Sequence, residues 1–272
     1  MSLKNKTIAF LGAGNMGEAL IRGLLTAKTV TPSQIVATDV RPERLGELAK
    51  TFGIRTTDDN VKAVADADII LLAVKPQQMS VVLAPLKSAA TFPKLFISIA
   101  AGVTTARIES ELGGKARVVR VMPNTPALVG AGAAALAKGA HATEDDLAAA
   151  ESILGAVGIV VRVEERFIDA VTALSGSGPA YVFYVTEVMI KAGVAAGLDE
   201  ALAKELAIQT VYGAAKLLVE SGEDPELLRR KVTSPGGATE AALKVMSERK
   251  LAEIFSEAIQ AAERRSRELS GS

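Results

Sequence analysis

A glycine-rich turn near the start of the chain carries the strongest chemical signal. A short apolar run, Thr7–Leu11, leads directly into Gly12-Ala13-Gly14-Asn15-Met16-Gly17, and a helical pattern follows. In a G-x-G-x-x-G turn the first glycine allows the tight bend, the second lets a pyrophosphate approach the backbone, and the third lets the helix pack on the strand. Free N–H groups at the start of the helix then face the phosphates. This segment therefore predicts a dinucleotide-binding site.

The composition excludes several other chemistries. The chain has no cysteine and a single histidine, so thiol catalysis and zinc sites built from cysteine and histidine are excluded. His141 lies in a short loop just before a predicted helix cap at Thr143, and we interpret it as a solvated loop residue. A chain so poor in nucleophiles and metal ligands depends on a bound cofactor for demanding chemistry.

Charge and hydropathy limit the classes of partner. The 31 basic and 31 acidic residues cancel, so no nucleic-acid or anionic-membrane partner is indicated. Two uncharged runs, residues 121–137 and 170–186, are short for a bilayer and are interrupted by proline and glycine. The segment Met1–Lys6 has no apolar region of the kind found in signal peptides. The sequence therefore predicts a soluble, cytoplasmic protein without a membrane partner.

Strand and helix patterns alternate along the N-terminal part of the chain, which is typical of a parallel, doubly wound sheet. The predicted strands are Thr7–Leu11, Gln34–Thr38, Ile69–Val74, Leu95–Ile99, Arg117–Val121, Gly132–Ala137 and Ile159–Val163. The predicted helices among them are Met16–Thr26, Arg41–Phe52, Val61–Ala65, Gln78–Leu86, Thr105–Leu112 and Glu144–Val157.

From Glu165 to Ser270 the pattern is helical only, with segments Arg166–Leu174, Pro179–Ala196, Asp199–Ser221, Pro225–Lys231, Thr239–Glu248 and Leu251–Leu269. We therefore predict an α/β protein, with a Rossmann-type dinucleotide-binding domain at 1–163 and an all-α substrate and dimerisation domain at 164–272. Helices that are apolar on several faces, in so small a domain, favour burial against another chain. An obligate homodimer formed through these helices is expected.

The choice between NADH and NADPH depends on residues after the second predicted strand. Asp39 lies where an acidic side chain typically holds the ribose diol of NAD. Arg41 and Arg44 follow within about one turn of helix and could instead bind a 2′-phosphate. The sequence leaves both cofactors open.

Further loops bear small residues, glycine or proline at places where a ligand could bind. Ala73-Val74-Lys75-Pro76 and Ile99-Ala100-Ala101-Gly102 each follow a predicted strand, at the edge of a doubly wound sheet that binds ligands. Lys75 is either a catalytic or phosphate-binding cation or a surface lysine. Leu174–Tyr181 and Thr233–Thr239 each interrupt a helical run, and each is either a seat for a substrate carboxylate at a helix N-terminus or a tight interhelical connection.

Taken in order, these motifs resemble those of the pyrroline-5-carboxylate reductase family over essentially the whole chain. They are Gly12–Gly17, Ala73–Pro76, residues 100–104 (AAGVT), residues 122–126 (MPNTP), Leu174–Tyr181 and residues 234–239 (SPGGAT). The resemblance implies hydride transfer from NADPH or NADH to the C=N bond of L-1-pyrroline-5-carboxylate, which gives L-proline. It also implies a Rossmann domain, an α-helical dimerisation domain, and homodimers that can assemble further, for example into decamers.

The resemblance also implies roles for individual residues. Cofactor contacts would come from Leu11, Gly12, Ala13, Gly14, Asn15 and Met16 at the pyrophosphate, from Asp39 and Asn60 at the adenosine, and from Ala73, Val74, Lys75, Pro76, Ala100 and Ala101 at the nicotinamide. Substrate would lie against Val232, Ser234, Gly236, Gly237, Ala238 and Thr239, with the N–H groups of residues 237–239 holding its carboxylate. Thr239 would hydrogen-bond the ring nitrogen and act as the catalytic residue, and no metal is required. The partner subunit's helices would form the opposite wall.

The chain departs from the family pattern at two positions. Asp39 replaces the neutral residue found in some relatives, which argues against a strong preference for NADPH. An acidic residue seen in some members corresponds here to Gly222, so that role is not transferred.

Other functions are weighed against this resemblance. A β-hydroxyacid dehydrogenase would need lysine and asparagine where this chain has Val182 and Thr186. A catalytically silent nucleotide sensor would fit the absence of a strong acid or base, but would not need residues 234–239. A reductase of a six-membered cyclic imine remains open, because ring size depends on the depth of the pocket.

Overall fold

Within the part of the chain that the structure describes, the sheet is mostly parallel and has eight strands. The computed structural model describes residues 3–89 and 94–271. The strand order is β3-β2-β1-β4-β5-β6-β7-β8. The strands are β1 (Ile8–Leu11), β2 (Ile35–Thr38), β3 (Arg55–Thr57), β4 (Ile69–Leu72), β5 (Leu95–Ser98), β6 (Arg117–Met122), β7 (Gly132–Lys138) and β8 (Gly158–Arg162).

The helices that follow these strands are α1 (Asn15–Thr26), α2 (Pro42–Phe52), α3 (Asn60–Ala65), α4 (Met79–Leu83), α5 (Leu86–Ala89), α6 (Thr105–Glu111), α7 (Glu144–Leu154) and α8 (Ile168–Val171). Beyond them lie α9 (Gly178–Ala195), α10 (Glu200–Ser221), α11 (Pro225–Lys231), α12 (Ala238–Glu248) and α13 (Leu251–Ser270). The predicted class, a Rossmann-type sheet followed by helices, is confirmed.

Apolar side chains bury both faces of the sheet. All four residues of β1, β2, β4 and β5 are buried. Successive side chains of a strand point to opposite faces, so Ile8 and Phe10 join one core cluster, whereas Ala9 and Leu11 join the other. Nearly continuous apolar strands of this kind are typical of a parallel sheet covered on both sides.

The sheet differs from the sequence prediction at both ends. The short edge strand β3 was not predicted, because its three residues show no run of buried apolar side chains. β7 pairs antiparallel with β6, and β8 pairs parallel with β7. The connection from β6 to β7 is too short for a helical crossover, so the chain reverses direction there.

Two predicted helices are interrupted. The segment predicted as Gln78–Leu86 divides into α4 and α5 at Pro85, which has no N–H to donate within a helix. The segment predicted as Arg166–Leu174 contains α8 and a π-helical turn, Thr172–Gly176. The predicted cap of α7 is confirmed, since the Thr143 and Asp146 side chains form a reciprocal capping box.

Contacts divide the chain into two compact units. One unit runs to Ser177 and includes the chain from Ala262 onward, and the other is Gly178–Ala261. α8, the π-helical turn and the last turns of α13 pack with the sheet in the first unit. The predicted domain boundary between 163 and 164 stays a prediction. Within residues 3–89 and 94–271, no helix has the length and apolar character needed to cross a bilayer.

The helical unit has an unusually exposed apolar surface. No residue of α9 is buried, although the helix is strongly apolar. Phe183 and Tyr184 are 68% and 67% exposed. Further apolar side chains of the unit are exposed as well, namely Val182, Val188, Leu206, Ile208, Tyr212, Val219, Val245 and Ile254.

Candidate functional site

The glycine turn joins β1 to α1 at the carboxyl edge of the sheet. Gly12 has φ +89°, and a Cβ atom there would lie 2.8 Å from the Ala73 carbonyl oxygen. A Cβ atom at Gly17 would lie 2.9 Å from the Gly12 carbonyl oxygen, so the third glycine lets the helix approach the turn. A Cβ atom at Gly14 would meet no protein atom within 4 Å. The surface beside Gly14 is therefore open, as a pyrophosphate site requires.

The same turn presents backbone N–H groups to that open surface. Gly14 is the N-cap residue of α1 and has an extended backbone. As a glycine it offers no side-chain acceptor to the first N–H groups of the helix. The first N–H groups of an α-helix have no intrahelical acceptor and attract anions. Asn15 and Met16 are the first two residues of α1, so their N–H groups are available to a phosphate. The geometry therefore fits the pyrophosphate role expected for this segment.

Asp39 follows β2, and its side chain bonds to the backbone of the glycine turn. Its carboxylate accepts hydrogen bonds from the Ala13 N–H at 3.2 Å and from the Arg41 N–H at 3.1 Å. Arg41 also donates from Nε at 2.9 Å and from Nη2 at 3.1 Å. These side-chain bonds from Arg41 hold the pKa of the Asp39 carboxyl below its ordinary value. Asp39 is thus ionised at neutral pH, and its bonding positions are filled mainly by Arg41.

The two arginines that could bind a 2′-phosphate, Arg41 and Arg44, differ in their bonds and in their exposure to solvent. Arg44 donates from Nε to the Ala13 carbonyl oxygen at 2.8 Å and pairs with Glu18 of α1. Its side chain is 17% exposed, whereas that of Arg41 is 59% exposed. Arg44 therefore supports the backbone of the turn, and Arg41 is the more accessible cation beside Asp39.

Asn60 also lies at this end of the sheet. The Thr38 hydroxyl at the end of β2 donates to the Asn60 Oδ1 atom at 2.6 Å. Asn60 begins α3, whose N-cap Asp59 accepts from the Val61 and Lys62 N–H groups. The Asn60 side chain is thereby fixed beside the residues that precede Asp39.

The loops after β4 and β5 lie next to the glycine turn. In the strand register Leu11 is paired with Leu72, and Leu72 is paired with Ser98. The Ala73 N–H donates to the Leu11 carbonyl oxygen at 2.8 Å. Residues 73–76 and 100–101 therefore leave the same edge as Gly12, and the Lys75 side chain is exposed there. The structure thus brings the expected pyrophosphate and nicotinamide residues to one edge of the sheet.

The segment from Ser234 to Thr239 forms a tight turn before α12. The Gly237 N–H donates to the Ser234 carbonyl oxygen at 3.0 Å, and the Gly236 N–H donates to the Glu240 carboxylate at 2.8 Å. The Gly237 N–H therefore has a bond within the turn, and its expected contact with the substrate carboxylate stays a prediction. The N–H groups of Ala238 and Thr239, the first residues of α12, remain for that role. Val232, Ser234, Ala238 and Thr239 are all exposed.

The glycine segment before α9 has a packing role. A Cβ atom at Gly176 would lie 2.4 Å from the Met122 side chain. Asn124 donates from Nδ2 to the Ser175 carbonyl oxygen at 3.0 Å and accepts from the Ala133 N–H at 2.8 Å. Of the two roles left open for this segment, the contacts at Gly176 favour close packing. Through these contacts the segment packs against residues 122–126, the motif that follows β6.

Sequence reasoning missed a buried charge cluster beneath the loop after β5. Arg120 of β6 is 3% exposed and lies 3.2 Å from a Glu165 carboxylate oxygen and 4.0 Å from an Asp169 oxygen. The sequence signal for this cluster is an arginine, Arg120, among the apolar residues of the predicted strand 117–121. A buried cation needs a carboxylate partner, although the sequence does not say which one.

Comparisons with known proteins agree with this geometry. The fold and the glycine turn define a dinucleotide-binding protein of the Rossmann class. The sequence model of the family described as pyrroline-5-carboxylate reductase dimerisation matches residues 165–269. The model of the family described as NADP oxidoreductase, coenzyme F420-dependent, matches residues 7–102.

Individual relatives cover nearly the whole chain. The pyrroline-5-carboxylate reductase of Methanosarcina acetivorans is 46% identical over 98% of this chain and 99% of its own. A Coxiella burnetii pyrroline-5-carboxylate reductase structure is 42% identical with a TM-score of 0.93, covering 97% of this chain and 98% of that one. A Plasmodium falciparum pyrroline carboxylate reductase structure with NADP bound is 30% identical with a TM-score of 0.86, covering 98% of both chains. The chain belongs to the pyrroline-5-carboxylate reductase family, whose members are NAD(P)-dependent oxidoreductases.

Proposed function

We propose that this chain transfers a hydride from NAD(P)H to the C=N bond of L-1-pyrroline-5-carboxylate and so forms L-proline. The observation that carries the proposal is the similarity of the whole chain, sheet unit and helical unit alike, to curated reductases of that name. The open surface at Gly14 supports the same conclusion from geometry, because a Cβ atom there would meet no protein atom within 4 Å, which leaves room for a pyrophosphate beside the backbone. A cytoplasmic location and an assembly of several dimers, such as a decamer, stay predictions.

The cofactor would be held by residues of the sheet unit. Residues Leu11–Met16 would bind the pyrophosphate through the N–H groups of the turn and of α1. Asp39 and Asn60 would bind the adenosine side, and residues 73–76 with Ala100 and Ala101 would line the nicotinamide. When bound, NAD(P)H supplies the hydride.

The substrate would be held by residues of the helical unit. The N–H groups of Ala238 and Thr239 would bind its carboxylate at the N-terminus of α12. Val232 and Ser234 would contact the ring, and Gly236 and Gly237 would shape the turn. This seat needs no metal ion and no activated nucleophile.

The reaction asks the protein mainly to orient two ligands. A protonated C=N bond is already a strong hydride acceptor, so holding the nicotinamide C4 atom over the imine carbon supplies much of the acceleration. The Thr239 hydroxyl would hydrogen-bond the ring nitrogen as it becomes an amine. Across the part of the chain that the structure describes, this hydroxyl has no protein partner, so it is available to a ligand.

An assay with L-1-pyrroline-5-carboxylate tests the function directly. We expect the purified protein to oxidise NADH or NADPH with this substrate, followed by loss of the reduced-nicotinamide absorbance and by detection of proline. A protein that binds the cofactor but oxidises neither form would contradict the proposal. That result would instead favour another cyclic imine or a silent nucleotide sensor.

The same assay, run with both cofactors, tests the role of Asp39. The ionised carboxylate repels a 2′-phosphate and accepts hydrogen bonds from a ribose diol once Arg41 turns away, so we expect preference for NADH. Asp39→Ser should raise the ratio of kcat/KM for NADPH to that for NADH by about tenfold or more, because a charged hydrogen bond contributes about 1.5–3 kcal/mol. An unchanged ratio would remove Asp39 from cofactor selection.

We further propose that the helical unit forms a homodimer interface. The family model that matches residues 165–269 is one of dimerisation, and α9 exposes Phe183 and Tyr184 without burying any residue. Light scattering at micromolar concentration should therefore give a mass at least twice that of one chain. A monomeric mass would contradict this assignment.

A further inference from the structure

The loop between β5 and α6, residues 99–104, is fixed by residues far away in the sequence. It contains Ala100 and Ala101, which the proposed function places at the nicotinamide. Ala100 and Val103 are buried, and Gly102 has φ +71°. Small side chains and one left-handed residue do not by themselves determine the position of such a loop. Its surroundings therefore decide where Ala100 and Ala101 lie.

Glu165 holds the end of this loop. Its carboxylate accepts from the Thr105 N–H at 2.8 Å and from the Thr105 hydroxyl at 2.5 Å. Thr105 is the first residue of α6, and its N–H has no acceptor within that helix. Arg120 donates to the same carboxylate at 3.2 Å. The start of α6 is thus tied to β6 through one carboxylate.

Asp169 holds the last turns of α13, which we call the C-terminal turns (Ser266–Ser270). The Ser266 hydroxyl donates to Asp169 Oδ1 at 2.7 Å, and the Ser270 hydroxyl lies 3.5 Å from Oδ2. Both Asp169 and Ser266 are buried. Arg120 lies 4.0 Å from Asp169, so its guanidinium lies close to both carboxylates. A buried carboxylate needs such partners, so its geometry is closely determined.

The C-terminal turns contact the loop itself. A Cβ atom at Gly102 would lie 3.2 Å from the Leu269 carbonyl oxygen and 3.5 Å from the Leu269 Cβ atom. The backbone of α13 therefore packs directly on the residue that follows Ala101. Since Ser266 is bonded to Asp169, the position of Leu269 against Gly102 depends on that bond.

We propose that Asp169 and Ser266 are positioning residues for the nicotinamide half of the cofactor. They hold the C-terminal turns against Gly102, and those turns with Glu165 fix the loop that carries Ala100 and Ala101. This inference rests on the proposed function for the identity of the cofactor. It predicts a selective effect, because the proposed function assigns the other half of the dinucleotide to the glycine turn and Asp39, which belong neither to this loop nor to the C-terminal turns.

Calorimetric titrations of Ser266→Ala with NADH and with ADP-ribose, which lacks the nicotinamide, test this selectivity. We expect the Kd for NADH to rise about fivefold, as the loss of one buried hydrogen bond implies, and the Kd for ADP-ribose to stay unchanged. Ser266→Thr keeps the hydroxyl and should restore NADH binding. Ser152→Ala is the control: it removes an exposed hydroxyl of the same unit, which donates to the Ala148 carbonyl oxygen within α7. This variant should bind both ligands like the wild type.

Equal weakening of both ligands, or a lower melting temperature with both Kd values unchanged, would overturn the proposal. If Ser266→Ala does not fold, Ser270→Ala removes the longer contact with Asp169 together with the hydroxyl's bond to the Arg267 carbonyl oxygen, and it should show the same selectivity at smaller size. Unselective binding in that variant would also overturn the proposal. These titrations need no turnover, so a wild type that binds NADH without reducing the imine would refute the proposed reaction and leave this inference testable.

Discussion

Gly14→Val is expected to weaken the binding of NADH and NADPH by about 100-fold or more, close to 3 kcal/mol, while the protein stays folded. The new Cβ atom has room, since outside the adjacent residues of the chain no protein atom lies within 4 Å of a Cβ atom at this position. The backbone there, at φ −69° and ψ −170°, is one that valine adopts readily. The added isopropyl group would instead occupy the surface where the pyrophosphate approaches the start of α1.

The measurement is a fluorescence titration with each reduced cofactor, accompanied by a thermal melt. Gly46→Val is the matched control, because Gly46 lies within α2 and a Cβ atom there also meets nothing within 4 Å. It should bind both cofactors normally. Gly12 would be a poor choice, since a Cβ atom there would lie 2.8 Å from the Ala73 carbonyl oxygen and φ is positive. Normal affinity in Gly14→Val would mean that the turn is only structural.

Sequence patterns predicted those parts of the fold that local signals determine. The strands β1, β2, β4 and β5 are short apolar runs bounded by turn residues, and they were found within a residue or two at each end. The predicted helix cap at Thr143 is also observed, and the predicted helix starts at Asp199 and Pro225 lie within one residue of the observed starts. Such features depend on neighbouring residues, so one sequence is enough to find them.

Features that depend on distant partners were not predictable in the same way. The edge strand β3 exists because β2 offers it a hydrogen-bonding edge, although its own sequence, Arg55–Thr57, shows little burial. The antiparallel direction of β7 follows from the length of a connection and not from the pattern of the strand. The unit boundary depends on the packing of the last turns of α13, whose periodicity is that of any amphipathic helix.

The same distinction applies to the candidate site. The glycine turn is one contiguous run of residues, and so is the motif of residues 234–239. Each motif could therefore be recognised from its residue types alone. By contrast, the availability of each N–H group and each arginine depends on tertiary bonds. The structure assigns the Gly237 N–H to the Ser234 carbonyl oxygen and Arg44 to Glu18 and Ala13. Both residues had been candidates for ligand contacts, and only their partners show that they are already bonded.

Thr239→Ala is the second change with a large expected effect, and it should act on turnover and not on cofactor binding. The Thr239 hydroxyl is exposed at the first turn of α12, in the unit that does not contain the glycine turn. Loss of a hydrogen bond to the ring nitrogen in the transition state should lower kcat by about ten- to 100-fold. The Kd for NAD(P)H should remain within about twofold of the wild type, because no cofactor contact is removed.

Steady-state kinetics with L-1-pyrroline-5-carboxylate, together with a titration of the cofactor, separate these effects. Thr239→Ser keeps the hydroxyl and should recover most of kcat, which distinguishes hydrogen bonding from packing of the methyl group. Thr210→Ala is the control for the loss of an exposed threonine, whose hydroxyl donates to the Leu206 carbonyl oxygen within α10. If kcat in Thr239→Ala equals that of the wild type, the hydroxyl has no part in the reaction, and the positioning of the two ligands alone accounts for catalysis.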